Sequence, residues 1–350
     1  MFFTSDNAAP AHPAVMAALQ KANEGFAPGY GADGLMQEVT RLMRDLFEAP
    51  QAAVYLVATG STANALSLAT YTQPWHTIFC HQEAHIQMDE CGAPEFYTGG
   101  AKLTLLPGPN AKFDAATLRN AIENTNQGFV HSVQRGTVSI SNSTECGAVY
   151  SHAEIAEISK LCREHGLPLH MDGARFANAL VAQNCSPADL TWRAGVDVLS
   201  FGGTKNGLLG VEAVIMFDPA RAWQFELRRK RGGHLFSKHR YLSAQMLAYL
   251  TDDLWLTLAR QANAAAARLS QGILAVPGGD LVHPCQANAV FARFPRAGHK
   301  RAQKAGAAYY LWPFNQSMDG PGDAPLSARL MASYCTTDAE VDELLRHIKG

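Results

Sequence analysis

Short apolar runs alternate with segments of helical spacing along most of the chain. Val196 to Phe201, Pro168 to Met171, Ala53 to Ala58, Thr77 to Cys80, Lys102 to Leu106, Val138 to Ile140 and Ala213 to Phe217 each read as a short buried strand. Helices are predicted between them. One covers Pro13 to Asn23 and stops at Gly25, and the next places Leu35, Val39, Leu42, Met43, Leu46 and Phe47 on one face. Others run to about Tyr71, over Ala115 to Glu123, from the capping box Ser151-His152-Ala153-Glu154 to about Glu164, and over Phe176 to Gln183. Strands that alternate with amphipathic helices predict an α/β fold with a mostly parallel sheet. Beyond Phe217 the pattern changes. A basic stretch from Phe225 to Arg240 precedes a long helical pattern, Leu242 to Leu274, in two pieces. A break at Gly278-Gly279-Asp280 follows, then strands at Ala289 to Phe294, Tyr309 to Trp312 and Ala328 to Tyr334, and a last helix opened by Thr337. The expectation is a large α/β unit over residues 1–240 and a smaller C-terminal α+β unit over 241–350. Met1 to Pro10 has no periodicity and reads as an extended arm.

Composition narrows the functional classes. With 350 residues, 47% apolar and 17% charged, the chain is long enough for a large core and a smaller companion. A formal charge of -2 gives no electrostatic reason to expect nucleic acid or an anionic membrane as partner. The seven cysteines, Cys80, Cys91, Cys146, Cys162, Cys185, Cys285 and Cys335, are scattered without a close CxxC pair. That argues for free thiols, against a zinc site, and for a cytoplasmic protein.

The chemistry sits at strand ends. Lys205 follows the Val196 strand and Gly202-Gly203-Thr204, where a lysine near apolar surroundings can serve as a nucleophile. Asp172-Gly173-Ala174-Arg175 follows the Pro168 strand, and His85 lies just beyond the Thr77 strand. Thr59-Gly60-Ser61-Thr62 links the Ala53 strand to a helix, the arrangement that turns backbone N–H groups and hydroxyls toward a phosphate. Such a turn also serves simply to cap a helix. Lysine, acid, histidine and phosphate turn together are the set that pyridoxal 5'-phosphate requires: a Schiff-base amine, a partner for the pyridine nitrogen, a cover for the ring and a phosphate cradle.

The segments Ser5-Asp6-Asn7, Tyr30-Gly31, Thr59 to Asn64, Glu83-Ala84-His85, Asp89 to Gly92, His170 to Arg175, Thr204 to Gly207 and Ala328-Arg329 appear in the order found in a known family. The chain resembles the low-specificity L-threonine aldolases, including the phenylserine aldolase-like branch, within the aspartate-aminotransferase-like fold type I. The resemblance implies roles. Lys205 would carry the cofactor, Asp172 would face the pyridine nitrogen, and His85 would stack on the ring. Thr59, Gly60, Ser61 and Thr62 would hold the phosphate. Arg175 would lie beside the ring hydroxyl and the substrate carboxylate, which Arg329 and Ser5 would also bind. The basic loop Arg228 to Gly233, with Arg231 toward the cofactor, and Tyr30 toward the substrate, would reach a neighbouring subunit of a homotetramer built as a dimer of dimers. The implied reaction is retro-aldol cleavage of threonine, allo-threonine or an aryl-serine to glycine and an aldehyde. Many members carry a histidine after the strand near Ile140, where this chain has Glu145. The proton acceptor is therefore open among Glu145, His85, Glu90 and water. A β-eliminating lyase or an aminotransferase would use the same lysine and aspartate, and a non-catalytic phosphate-binding protein would use only the Thr59 turn.

Overall fold

The computed structural model describes all of Met1–Gly350. In chain order the helices of the first half are α1 (Pro13–Ala22), α2 (Gly34–Leu46), α3 (Gly60–Tyr71), α4 (His85–Met88), α5 (Ala93–Thr98), α6 (Ala115–Glu123), α7 (His152–Glu164) and α8 (Phe176–Gln183). Interleaved with them are β1 (Ala53–Val57), β2 (His76–His81), β3 (Lys102–Leu106), β4 (Gln134–Ser141), β5 (Leu169–Gly173), β6 (Val198–Phe201) and β7 (Glu212–Met216). These strands form one sheet in the order β1-β7-β6-β5-β4-β2-β3. β7 alone is antiparallel to its neighbours β1 and β6, so the sheet is mostly parallel, as the alternation predicts.

Side chains of period two feed a core on each face. Val54, Leu56, Leu199, Phe201, Ala213 and Ile215 join the larger core under α2 and α6–α8. Tyr55, Val57, Val198, Val214 and Met216 face the other way, against Ala63 and Leu66 of α3. With six strands pointing one way, the carboxyl ends of β1, β2, β4, β5 and β6 open at a single edge, where open α/β sheets bind ligands. Because β7 runs backwards, its first residue, Glu212, lies at that edge too.

The second half contains α9 (Ala222–Arg231), α10 (Arg240–Leu250), α11 (Leu254–Leu274), α12 (Arg296–Lys304) and α13 (Asp338–Lys349). Its strands β8 (Asp280–Leu281), β9 (Ala289–Pro295), β10 (Tyr310–Leu311) and β11 (Pro325–Met331) form an antiparallel sheet in the order β10-β11-β9-β8. The larger core takes in Leu242, Met246, Tyr249, Trp255, Leu258 and Ala259, which lie beyond residue 240. Conversely, Phe3 belongs to the smaller core. The N-terminal arm is thus docked: Phe3 is fully buried, its N–H donates to Ala308 O, and its carbonyl accepts from Met331 N.

Two helices of nine or more residues differ from expectation. The basic stretch is not a loop over Arg228 to Gly233, because residues 222–231 form α9 and the chain turns only at Gly232. α12 was not legible: Arg296–Lys304 buries only Gly298, His299 and Ala302, too few apolar positions to mark a helical face.

Candidate active site

Lys205 sits in a single helical turn, Thr204–Asn206, immediately past β6. Its neighbours pin that turn. Asn206 Nδ2 donates to Tyr249 Oη at 2.6 Å and to Trp255 O at 2.9 Å, and Gly203 N donates to Glu212 Oε2 at 2.7 Å. Two glycines are required by geometry: a Cβ on Gly202 would lie 2.2 Å from Ala174 O, and Gly207 has φ +97°. Burial raises the carboxyl of Glu212 to about 7, against hydrogen bonds from Thr204 and Gly203 and the charge of Lys205.

Asp172 stands near the end of β5, 5% exposed. Its Oδ1 accepts from Ala174 N at 3.0 Å and its Oδ2 from Asn64 Nδ2 at 2.9 Å. Burial opposes its charge, yet His85 and Lys205 outweigh burial and hold its pKa below the usual carboxylate value. Two residues back on the same face, His170 spans the sheet between Ser139 Oγ (2.9 Å) and Ser200 Oγ (3.1 Å). Burial drives its imidazole down to about 4, so it is neutral.

His85 opens α4, and its Nδ1 lies 2.9 Å from Oε1 of Glu90. The same oxygen accepts from Asn64 Nδ2 at 2.9 Å. Thr59 caps α3, with its Oγ1 2.8 Å from Thr62 Oγ1 and accepting from Thr62 N. Thr62 Oγ1 continues to His234 Nδ1 at 3.4 Å, whose Nε2 meets Tyr97 Oη at 2.8 Å. The N–H groups of Gly60 and Ser61 donate to no partner within the chain, and nothing lies within 4 Å of a Cβ built on Gly60. An open helix N-terminus of this kind is an anion site.

The arm approaches Arg175 and Arg329. Arg175 is 8% exposed and holds Asp6 bidentately, Nε to Oδ2 at 2.7 Å and Nη2 to Oδ1 at 2.8 Å. Burial would lift the carboxyl of Asp6, but Arg175 more than offsets this and brings it to about 2. Arg329, in β11, has no ion pair; its Nη1 donates to Thr4 O at 3.3 Å. Burial and the nearby charge of Arg175 lower its pKa. Ser5, between these contacts, accepts from Asn7 N. Glu145 is half-buried and its charge acts on His85, Arg175 and Arg329, so it faces the same space.

The structure therefore brings Lys205, Asp172, His85, Arg175, Arg329 and Glu145 into one electrostatically coupled group, with the Thr59–Thr62 turn at the same sheet edge, at the end of β1. Tyr30 and Arg231 stand apart from this set. Tyr30 is exposed, with Lys230 Nζ 4.7 Å from its ring centre, and Arg231 is exposed beside Tyr97 and Leu227. The Glu90 side chain is wholly buried, with its Oε1 bound to His85 and Asn64, which places it behind His85. Reasoning from the sequence left out Asn64, the partner role of Asp6, and Glu212. Asn64 did carry a signal, as a carboxamide four residues into an otherwise small and apolar helix face.

These groups suit a flat, phosphorylated heteroaromatic aldehyde. A buried carboxylate kept ionised matches a protonated ring nitrogen, an amine stands at the next strand end, and the open α3 N-terminus matches a phosphate. A cavity of about 820 Å³ lies elsewhere, in an apolar groove between α1, α2 and α10 that contains none of these residues.

The model of the beta-eliminating lyase family matches residues 3–295. A low specificity L-threonine aldolase from a Pseudomonas species is 38% identical over 348 residues, covering 99% of this chain and 97% of that one. Its counterpart from Pseudomonas aeruginosa is 39% identical over 347 residues, covering 99% and 96%. The solved threonine aldolase of Leishmania major superimposes with a TM-score of 0.91 at 28% identity, covering 99% of this chain and 98% of that one.

Proposed function

Because the chain belongs to the beta-eliminating lyase family, and within it groups with the low-specificity L-threonine aldolases, we propose that it is a pyridoxal-phosphate enzyme cleaving β-hydroxy-α-amino acids to glycine and an aldehyde. The observation that carries this reading is that Arg329, in β11 and without an ion pair, lies near Arg175 at the sheet edge where Lys205 and ionised Asp172 stand. When bound, the cofactor supplies an aldehyde that condenses with amines and a ring that draws in the electrons of a breaking bond to Cα.

The chain's own residues do the rest. Lys205 is the amine that would hold the cofactor, at the turn just past β6. Asp172, clamped by Asn64 and Ala174 N, keeps a negative charge where the ring nitrogen needs a counter-ion. Gly60 and Ser61 N–H groups, with the hydroxyls of Thr59 and Thr62, receive the phosphate. Arg329 grips the substrate carboxylate, with Ser5 alongside and Arg175 adding its charge. A gripped carboxylate fixes rotation about the Cα–N bond, and that rotation selects which bond to Cα breaks. His85 or Glu145 takes the proton of the β-hydroxyl. Tyr30 and Arg231, exposed and outside this set, would complete a partner's cleft in a dimer of dimers.

The family description also favours a second reading, β-elimination, in which ammonia and a keto acid replace glycine and aldehyde. A panel of β-hydroxy-α-amino acids assayed for both product pairs separates them. Lys205→Ala is expected to remain folded, to fail to retain a borohydride-fixed chromophore, and to lose turnover; normal cleavage by that variant overturns the assignment.

A further inference from the structure

Glu90 and Asn64 form a buried device behind His85. The chain leaves α4 through Asp89 and returns so that residue 90 lies against residue 85. The Glu90 side chain is fully buried, while that of His85 retains 27% of its surface. Oε1 of Glu90 meets His85 Nδ1 at 2.9 Å and Asn64 Nδ2 at 2.9 Å. Asn64 sends its other amide proton to Asp172 Oδ2, also at 2.9 Å. A carboxamide nitrogen has two hydrogens, and both are committed to carboxylates here. The reversed orientation would aim Asn64 Oδ1 at two anions, so the charges themselves fix the amide.

This geometry decides the state of the imidazole. An ionised carboxylate only accepts, so the proton of a neutral His85 resides on Nδ1. The lone pair is then on Nε2, the ring nitrogen without a partner in the chain. We propose that Glu90, oriented by Asn64, is the positioning residue that locks His85 with Nδ1–H inward and Nε2 outward as the acceptor of the substrate β-hydroxyl proton. As that proton moves to Nε2, the O–H pair becomes the second C–O bond of the aldehyde and the Cα–Cβ pair departs with the glycine fragment. The glycine carbon takes up a proton at the end, and Nε2 is restored. Glu90 stabilises the imidazolium between the two events, much as an acid orients and supports the histidine of a hydrolase triad.

The charged groups facing His85 are Glu90 beyond α4, Glu145 after β4, Asp172 in β5 and Lys205 after β6. The hydrogen bond to Glu90 is the largest influence and raises the imidazole pKa; burial opposes it, Glu145 and Asp172 add to it, and Lys205 subtracts. Burial raises Glu90 as well, countered by its hydrogen bonds to His85 and Asn64. Asn64 thus favours the ionised form of Glu90 against its burial.

The inference rests on the aldol reading for its substrate, but its test does not. The imidazole resonances of His85, assigned with His85→Asn, are followed by NMR through a pH titration of the apo protein. In the native chain His85 is expected as the Nδ1–H tautomer. Glu90→Gln is expected to lower its titration midpoint, and Asn64→Ser to lower it less. In the holoenzyme Glu90→Gln should reduce kcat at least about tenfold, with the acid limb of the rate profile moved to lower pH. KM and cofactor affinity should stay within about threefold, a split that merely structural damage would not produce. An unchanged His85 midpoint or tautomer in both variants overturns the proposal. If the NMR shift occurs but no β-hydroxy amino acid is cleaved by the native enzyme, the functional reading fails and the His85 lock stands.

Discussion

Two arginines flank the same end of the site, and the chain treats them in opposite ways. Arg175 has a carboxylate of its own: Asp6 fills its fork, and the pair stays ionised despite burial. Arg329 is half-buried, close enough to Arg175 to feel its charge, and has only the carbonyl of Thr4 at 3.3 Å. Both contacts come from the arm, two residues apart, with Ser5 between them. On the proposed reading, the difference separates a cation already paired within the fold from one left available to a ligand. A desolvated cation with its partner in place is structural; one whose pKa is lowered for want of a partner holds interaction energy in reserve for an incoming anion.

The largest test of this contrast is Asp6→Ala. Removing one member of a buried pair leaves the other uncompensated and typically costs about 3–5 kcal/mol. The arm also loses the anchor that holds Thr4 against Arg329. Urea denaturation should show a fall of that size in the variant. A variant as stable as the native chain would place Arg175 in the same class as Arg329.

Arg329→Met is expected to reverse the pattern. Charge-assisted hydrogen bonds to a carboxylate contribute about 1.5–3 kcal/mol, so KM for the amino acid should rise about 10- to 150-fold. Stability should hold or increase, because a desolvated charge without a partner has been replaced by an apolar side chain. Cofactor affinity, read from the absorbance of the bound chromophore, should not move. A loss of several kcal/mol in stability instead would show that Arg329 is structural and would collapse the comparison.

How far this contrast was visible in advance depends on the range of the interactions. Strands and helices come from local periodicity, and α6 and α8 match their expected spans to the residue. Asp172, Lys205 and Arg175 stand out because each follows an apolar run and lies within two residues of a glycine. The direction of β7 was not legible, since an apolar run of five residues carries no sign of its orientation. Asp6 could not be matched to Arg175 across 169 positions, nor Asn64 to Asp172 across 108, because nothing local in either segment selects the partner. α9 escaped notice for the opposite reason. Its last turn is four consecutive basic residues, and only Phe225 and Arg229 are buried, so its hydrophobic face is too thin to register.

The smallest effect is the most specific to the pair. Arg175 holds Asp6 at about 2, below its ordinary 3.8. A carboxyl depressed in the folded state adds stability that is fully present above the unfolded value and is lost as pH falls through the folded one. For Asp6 that window runs from pH 3.8 down to about 2, and the loss amounts to about 2 kcal/mol. Asp6→Asn has no proton to take up, so its stability should fall less steeply with acid by about one proton over the same window, on top of a lower value at neutral pH. Arg329→Met leaves the Asp6 pair intact and should keep the native acid slope. Denaturation midpoints measured across that range for the three proteins distinguish the arginines by proton uptake alone. A slope in Asp6→Asn equal to the native one would mean that another carboxylate, with Asp172 the nearest candidate, carries the acid sensitivity, and the division between a paired and a waiting arginine would lose its thermodynamic basis.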